Sequence, residues 1–146
     1  MRGKHDEEIM ATTGEPVVCD VRTEWSWVKL GIEEILKENP QLPFRPEDVY
    51  TACVTEQATL WCAPEGFVVT TGQTDHFSGE RTLLLWLAWA KKRGQNCAIK
   101  YYPFFSRVAK EAGFSKIKVK TAVSQMEDYL IGEGWTKDTV VYTRDL

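Results

Sequence analysis

The eight residues from Leu83 to Ala90 (Leu-Leu-Leu-Trp-Leu-Ala-Trp-Ala) carry no charged side chain. In an extended chain successive side chains point to opposite faces, so strict alternation sets Leu83, Leu85, Leu87 and Trp89 against Leu84, Trp86 and Ala88. A strand that is apolar on both sides needs a covering layer on each, which is the condition of a central strand in a sheet flanked by helices. The run is far short of the ~20 residues of a membrane span.

The remaining pattern supplies the rest of an α/β (α+β) domain. Pro16 to Arg22, with Val17, Val18, Cys19 and Val21, reads as a strand, and Glu24 to Glu38 as an amphipathic helix with Trp27, Leu30, Ile35 and Leu36 available for its core face. Asn39-Pro40 ends that helix, and Arg45-Pro46-Glu47-Asp48 opens a second, with proline and two acids at its start. Thr59 to Cys62 and Gly66 to Thr71 read as strands joined by a tight turn, Ala63-Pro64-Glu65-Gly66. After Leu83 to Ala90, a helix is predicted near Tyr102 to Ala112, stopped by Gly113. Ser115 to Lys120 reads as a strand, Ala122 to Gly132 as a helix and Thr139 to Arg144 as a last strand. The expectation is a mixed sheet of about six strands flanked by about four helices.

At 146 residues the chain has the length of one domain. Residues 1–15 read as a charged, loose arm and 16–146 as a single domain. The segment Met1 to Glu8 is charged where a signal peptide would turn apolar. Cys19, Cys53, Cys62 and Cys97 are far apart, with no C-x-x-C pair and only two histidines in the chain, so neither a zinc site nor a disulfide framework is indicated. No metal is expected, and a reducing cytoplasm is the natural location.

Charge is unevenly distributed. From Arg81 to Lys120 ten basic residues face one acid, Glu111, inside a chain of net charge −3. A basic third in an acidic protein is what an anionic ligand would select, although Lys116, Lys118 and Lys120, alternating with Ile117 and Val119, equally describe the solvated face of a strand. In the middle of this third, directly after the apolar run, stands Arg93-Gly94-Gln95-Asn96-Cys97-Ala98.

This order of apolar strand, Arg-containing loop and helix resembles the acyl-CoA pyrophosphate loop of the GNAT family of N-acetyltransferases. Ala112-Gly113-Phe114-Ser115-Lys116-Ile117 entering the next strand and Gly134-Trp135 near the end are similar to that family in the same order and spacing. Ala58-Thr59-Leu60-Trp61-Cys62 followed by Gly66-Phe67-Val68-Val69 resembles the divergent, bacteriophage-type members. The resemblance covers residues 16 to 146.

It implies transfer of an acyl group from acetyl-CoA, as co-substrate, to an amine. The diphosphate would lie on backbone N–H groups from Gln95 to Ala98 with Arg93 and Gly94 beside them, and the pantetheine arm along Leu87-Ala88, where an N–H would polarise the thioester carbonyl. By position, Asp75, His76 and Glu80 are the candidate bases, with a plain polar turn around Ser78-Gly79 as the alternative. Tyr129 is the candidate acid for the departing thiolate. Aligning Gly134-Trp135 with the family pattern sets Leu130 at that acid's position, and one helical step is about 100° of rotation.

Asn96 stands where the family has a glycine, and Pro103 would fall in the second turn of a helix begun at Ala98, at a cost of about 3 kcal/mol. Starting that helix near Tyr102 avoids the cost. Cys97 reads as packing rather than as a nucleophile. Trp61, Trp86, Trp89 and Trp135 read as core or cleft walls.

Three functions therefore remain open. The first is an active acyltransferase acting on an unknown amine. The second is a catalytically degenerate protein of the same fold, such as a phage virion or host-interaction protein. The third, a small nucleic-acid-binding module, is supported by charge and by Tyr101, Tyr102 and Phe104 beside Lys100 and Arg107.

Overall fold

In the computed structural model, which describes residues 14–92, 96–120 and 125–146, five strands form one sheet in the order β1-β2-β3-β4-β5. The elements are β1 (Val17–Val18), α1 (Val21–Glu38), α2 (Pro46–Val54), β2 (Ala58–Ala63), β3 (Gly66–Thr74), β4 (Arg81–Ala90), α3 (Cys97–Lys100), α4 (Tyr102–Glu111), β5 (Lys116–Val119) and α5 (Gln125–Gly132). Pairing is antiparallel from β1 to β4 and parallel between β4 and β5. The expected α/β architecture is present, with five strands rather than about six: Thr139 to Arg144 forms no strand, and Val141 and Tyr142 there are exposed.

β1 is shorter than its valines suggest because Asp20 ends it. The Asp20 carboxylate accepts from the Arg22 N–H at 2.9 Å and caps α1 three residues before the predicted start. Val21, Glu24, Val28, Gly31 and Ile32 form the buried stripe of α1, so Leu30, expected in the core, is turned out and 64% exposed. α2 begins as predicted at Pro46, with the Asp48 carboxylate accepting from the Arg45 N–H at 2.8 Å.

Both faces of the sheet are covered. Against α1 and α2 lie Leu60, Cys62, Phe67, Val69 and Leu87, and against α3 and α4 lie Val68, Leu83 and Leu85. Strict alternation along β4 breaks at a bulge: Val69 pairs with Leu87 and Thr70 with Leu85, leaving Trp86 as the additional residue. Beyond it parity reverses, and Ala88 and Ala90 take the face that Leu83 and Leu85 held. Trp86, Leu87 and Trp89 all pack toward α1 and α2.

Gly31 lets α1 approach this aromatic layer. A Cβ there would stand 2.6 Å from the Phe67 ring and 2.8 Å from the Trp89 ring, which are stacked on each other with centroids 5.7 Å apart.

Candidate functional site

β4 and β5 part company at the bulge. Their parallel pairing runs from Thr82 with Lys116 to Leu85 with Val119, while β4 continues five residues further to Ala90. A bulge bends its strand and increases local twist, so the separation starts where Trp86 is inserted. The resulting cleft, about 850 Å³, is lined by residues from both core layers and so passes through the plane of the sheet. Leu87 and Ala88 line it on β4, Asn96, Ala98 and Ile99 on the loop and α3, Val119 at the end of β5 with Lys120 just beyond it, and Leu130 on α5.

The segment after β4 resolves the conflict between the loop and Pro103 by building two helices. Asn96 is the N-cap of α3, its side-chain oxygen accepting from the Ile99 N–H at 3.2 Å, which is the use of asparagine that needs no glycine-like backbone. α3 stops after one turn at Tyr101, and α4 restarts with Pro103 in its first turn, where the missing N–H costs little. The predicted start near Tyr102 therefore holds for α4, while α3 keeps helical N–H groups next to the cleft. Arg93, Gly94 and Gln95 lie outside the described residues.

Cys97 is buried, and its thiol donates to the Trp89 carbonyl at 3.5 Å, tying α3 to the end of β4. Burial, with the Glu65 charge added, pushes this thiol up to about 11, which fits packing and not nucleophilic chemistry. Glu65, in the β2–β3 turn, accepts from Lys100 Nζ and from the Tyr101 hydroxyl, both at 2.6 Å. Partial burial alone would raise the Glu65 carboxyl, but these two hydrogen bonds outweigh it and hold it below its ordinary value. Burial, together with the same carboxylate, raises the Tyr101 phenol. A turn residue thus anchors α3, a role that its position in Ala63-Pro64-Glu65-Gly66 did not suggest.

The predicted proton carriers sit elsewhere. Asp75 accepts from the N–H groups of Ser78 and Phe77 at 2.8 and 2.9 Å, bonds that close the β3–β4 connection and lower the carboxyl. Glu80 is paired with Lys116 at 3.1 Å, and His76 packs edge-on against Phe77. All three line a second, adjoining cavity of about 1660 Å³ that reaches to Val141. Of the pair on α5, Leu130 lines the cleft and Tyr129 is 48% exposed.

Much of the basic third is neutralised by acids from other segments. Lys100 pairs with Glu65, Arg107 with Glu15 at 2.8 Å, Lys116 with Glu80 and Lys118 with Asp138 at 3.7 Å. Arg81 donates to the Ala112 carbonyl and lies over the Phe114 ring. Lys120 faces the cleft.

Sequence reading missed three other features. Phe44, from the α1–α2 connection, packs on Trp86 with centroids 5.3 Å apart and forms an aromatic wall of the cleft. Gln57 and Gln73 line the same side. Two large apolar residues, Leu42 and Phe44, on either side of Pro43 in a short connection were the available signal. Cys19, Glu24 and Cys62 converge in the core with ligand-type atoms within 4.8 Å of one another, and Glu24 also accepts from the Trp27 indole at 3.1 Å. Residues so far apart in sequence meet only through the pairing of β1 with β2.

Among the described residues no helix is long and apolar enough to cross a membrane. No protein-family model and no curated protein matches the sequence. Solved structures do. The chain is similar to a provisionally assigned acetyl transferase of Pyrococcus furiosus (TM-score 0.69, 14% identity, 90% of this chain and 100% of that one). It is similar to the ribosomal-protein-alanine N-acetyltransferase of Brucella melitensis biovar Abortus 2308 (0.64, 13%, 90% and 98%). A third similarity is to an aminoglycoside acetyltransferase from an uncultured soil metagenomic sample, solved in complex with sisomicin (0.59, 12%, 85% and 89%). At these identities the likeness establishes a fold, that of the GNAT acetyltransferases.

Proposed function

We propose that this chain is an acyl-CoA-dependent N-acyltransferase that takes acetyl-CoA as co-substrate. The observation that carries the reading is the cleft between β4 and β5, opened by the Trp86 bulge and passing from the α3 side of the sheet to the α1–α2 side. Two reactants that enter from opposite faces meet at such an opening without competing for one surface.

In this reading the cofactor occupies the α3 side. Leu87 and Ala88 offer to the pantetheine amides an edge of β4 that β5 does not pair among the described residues, and the segment Arg93, Gly94, Gln95, Asn96, Cys97 and Ala98 receives the diphosphate. The amine nitrogen attacks the thioester carbonyl carbon, the carbonyl oxygen takes the developing charge, and a β4 backbone N–H stabilises it. The C–S bond then breaks as the amide forms, the proton that the attacking nitrogen loses passes to solvent water at the open cleft, and the CoA sulfur leaves as a thiolate. Tyr129, one residue from Leu130 on α5, is the proton donor we assign to it. Asp75, His76 and Glu80 are engaged on the adjoining cavity, which makes them poor bases for this step; the amine then has to arrive uncharged.

A second reading, a protein that keeps the fold without the chemistry and acts through a phage or host partner, draws its support from Leu130, an apolar side chain at the cleft where a proton donor belongs.

Thermal unfolding with acetyl-CoA separates the two. At ~100 times the dissociation constant, binding to the native state adds roughly 2.7 kcal/mol, a rise of about 5 to 11 °C for a domain of this size. Such a rise, with release of free CoA thiol in the presence of amines, supports the transferase. An unchanged midpoint at millimolar ligand overturns it.

A further inference from the structure

The walls of the cleft on the α1–α2 side have a definite chemistry. Phe44 and Trp86 supply a pair of half-buried aromatic faces, and Leu42 and Leu84 extend the apolar surface beside them. The polar side chains lining it there are uncharged, the amides of Gln41, Gln57, Gln73 and Asn39, the last at the end of α1, and the Thr71 hydroxyl. Lys120 is the ionisable side chain among the described lining residues, and it is cationic.

The sequence segments that follow β4 and Lys120, Arg93-Gly94-Gln95 and Thr121-Ala122-Val123-Ser124, contain no carboxylate either. The adjoining cavity does carry acids, and most are taken: Glu80 by Lys116, Asp138 by Lys118, Glu127 by Lys137 at 3.2 Å and Asp75 by the turn it closes, while Glu133 accepts from the Tyr102 hydroxyl at 3.5 Å.

A polycationic amine binds where carboxylates replace its hydration, because a charge moved into a low-dielectric cleft without a partner is strongly disfavoured. This cleft offers it amides and a lysine. An aromatic amine of low basicity is already neutral near pH 7, stacks on aromatic rings and donates its N–H groups to amide oxygens.

We infer that the acceptor is a weakly basic amine carried on an aromatic body, bound as the free base between the Phe44–Trp86 wall and the amides of Gln57 and Gln73. The inference rests on the transferase reading for what happens to that amine, but the binding site itself does not depend on the cofactor.

That independence sets the test. Binding of 4-methoxyaniline and of spermidine to the full chain is measured without cofactor by calorimetry, and the acetyl-CoA melting experiment is run separately. The aromatic amine should bind at least tenfold more tightly than spermidine. Trp86→Ala should weaken it at least fivefold, whereas Gln73→Glu, at an exposed position that the fold tolerates, should raise spermidine affinity severalfold. Equal or tighter binding of spermidine, no binding of the aromatic amine, or aromatic binding unaffected by both Trp86→Ala and Phe44→Ala would each overturn the inference. Aromatic binding with no acetyl-CoA shift would leave the inference standing and remove the transferase reading instead.

Discussion

β3 and β4 are paired from Gly66 with Ala90 to Thr74 with Arg81, whereas β4 and β5 share only the stretch from Thr82 with Lys116 to Leu85 with Val119. On the first side Phe67, Val68 and Val69 are essentially inaccessible to solvent. On the second, Lys116 is exposed and Ile117, Lys118 and Val119 are half-buried. Stability is therefore concentrated in β1–β4 with α1 and α2, while the cleft is bounded on one side by the weaker wall. Functional openings are drawn from the low-stability part of a fold, and here the Trp86 bulge marks where one part passes into the other.

The sharpest way to break this division is to empty the strong side. Phe67 is fully buried, stacked on Trp89 and edge-on to Trp27. Phe67→Ala should cost about 3–5 kcal/mol, read as a lower urea midpoint. The corresponding truncation on the weak side, Ile117→Ala, should cost well under half as much, because its side chain already meets water. Equal losses would show that β5 is as integral to the core as β3.

Gly31→Ala overfills the same aromatic layer from the helix side. The added methyl would enter the Phe67 and Trp89 rings, and overpacking of this kind costs about 1–3 kcal/mol. Roughly 1 kcal/mol of that is returned by the better helix propensity of alanine. A net loss of about 0–2 kcal/mol in urea unfolding is expected. Stabilisation instead would mean that α1 can lift off the sheet at little cost.

Glu65 couples the strong side to the cleft through Lys100 and Tyr101. Its carboxyl is lowered in the folded state from an ordinary 4.5, so the unfolded chain takes up the proton first as pH falls. The contribution is whole above 4.5 and is lost as pH falls through the lower folded value. Glu65→Gln should remove about 1 kcal/mol at neutral pH, part of the Lys100 contribution being discounted for that lysine's exposure. It should also flatten the stability profile below pH 4.5 relative to the parent. An acid limb as steep as the parent's would assign the low-pH loss to other carboxylates.

How far the sequence revealed this division depends on the range over which each signal acts. Local signals were sufficient for the elements: the both-faced apolar run of β4, Pro46 at the start of α2, and Gly113, at φ +86°, ending α4. Leu30 was misassigned because the buried stripe of α1 runs through Glu24 and Gly31 as well as Val21, Val28 and Ile32, and an acid and a glycine are not marked as core by an apolar pattern. The bulge was invisible because it is a property of two strands in register, and eight apolar residues in a row cannot say where parity changes. The cleft followed the same rule. Leu87, Ala88, Asn96 and Ala98 were named from the loop's resemblance and do line it, but Phe44, Gln57 and Gln73 reach it from segments 30 or more residues upstream or across the sheet, through packing that no local pattern encodes. Asp75, His76 and Glu80 were named by position; they line the adjoining cavity, with Asp75 held by N–H groups of its own turn and Glu80 by Lys116 of β5.

The smallest effect is expected at the far end of the weak side. Thr139 to Arg144 alternates like a strand, yet it adopts no regular element, and Val140, Val141 and Tyr142 are 52%, 81% and 90% exposed. β-propensity describes fit to a half-buried pleated surface, so an alternating segment without such a surface gains little from pairing. The Lys118–Asp138 pair that leads into it is 3.7 Å long, with side chains 37% and 69% exposed. Exposed pairs of this kind contribute ~0–1 kcal/mol. Asp138→Asn should accordingly move the unfolding midpoint by less than about 0.5 kcal/mol, and amide exchange from Lys137 onward should be close to that of an unprotected chain. Strong protection of alternate amides between Thr139 and Arg144 would mean that this segment pairs on the free edge of β5, adding the sixth strand that the sequence pattern predicts. The weak wall would then be reinforced from outside, and Asp138→Asn would cost several times more, because it would loosen a paired strand instead of one solvated contact.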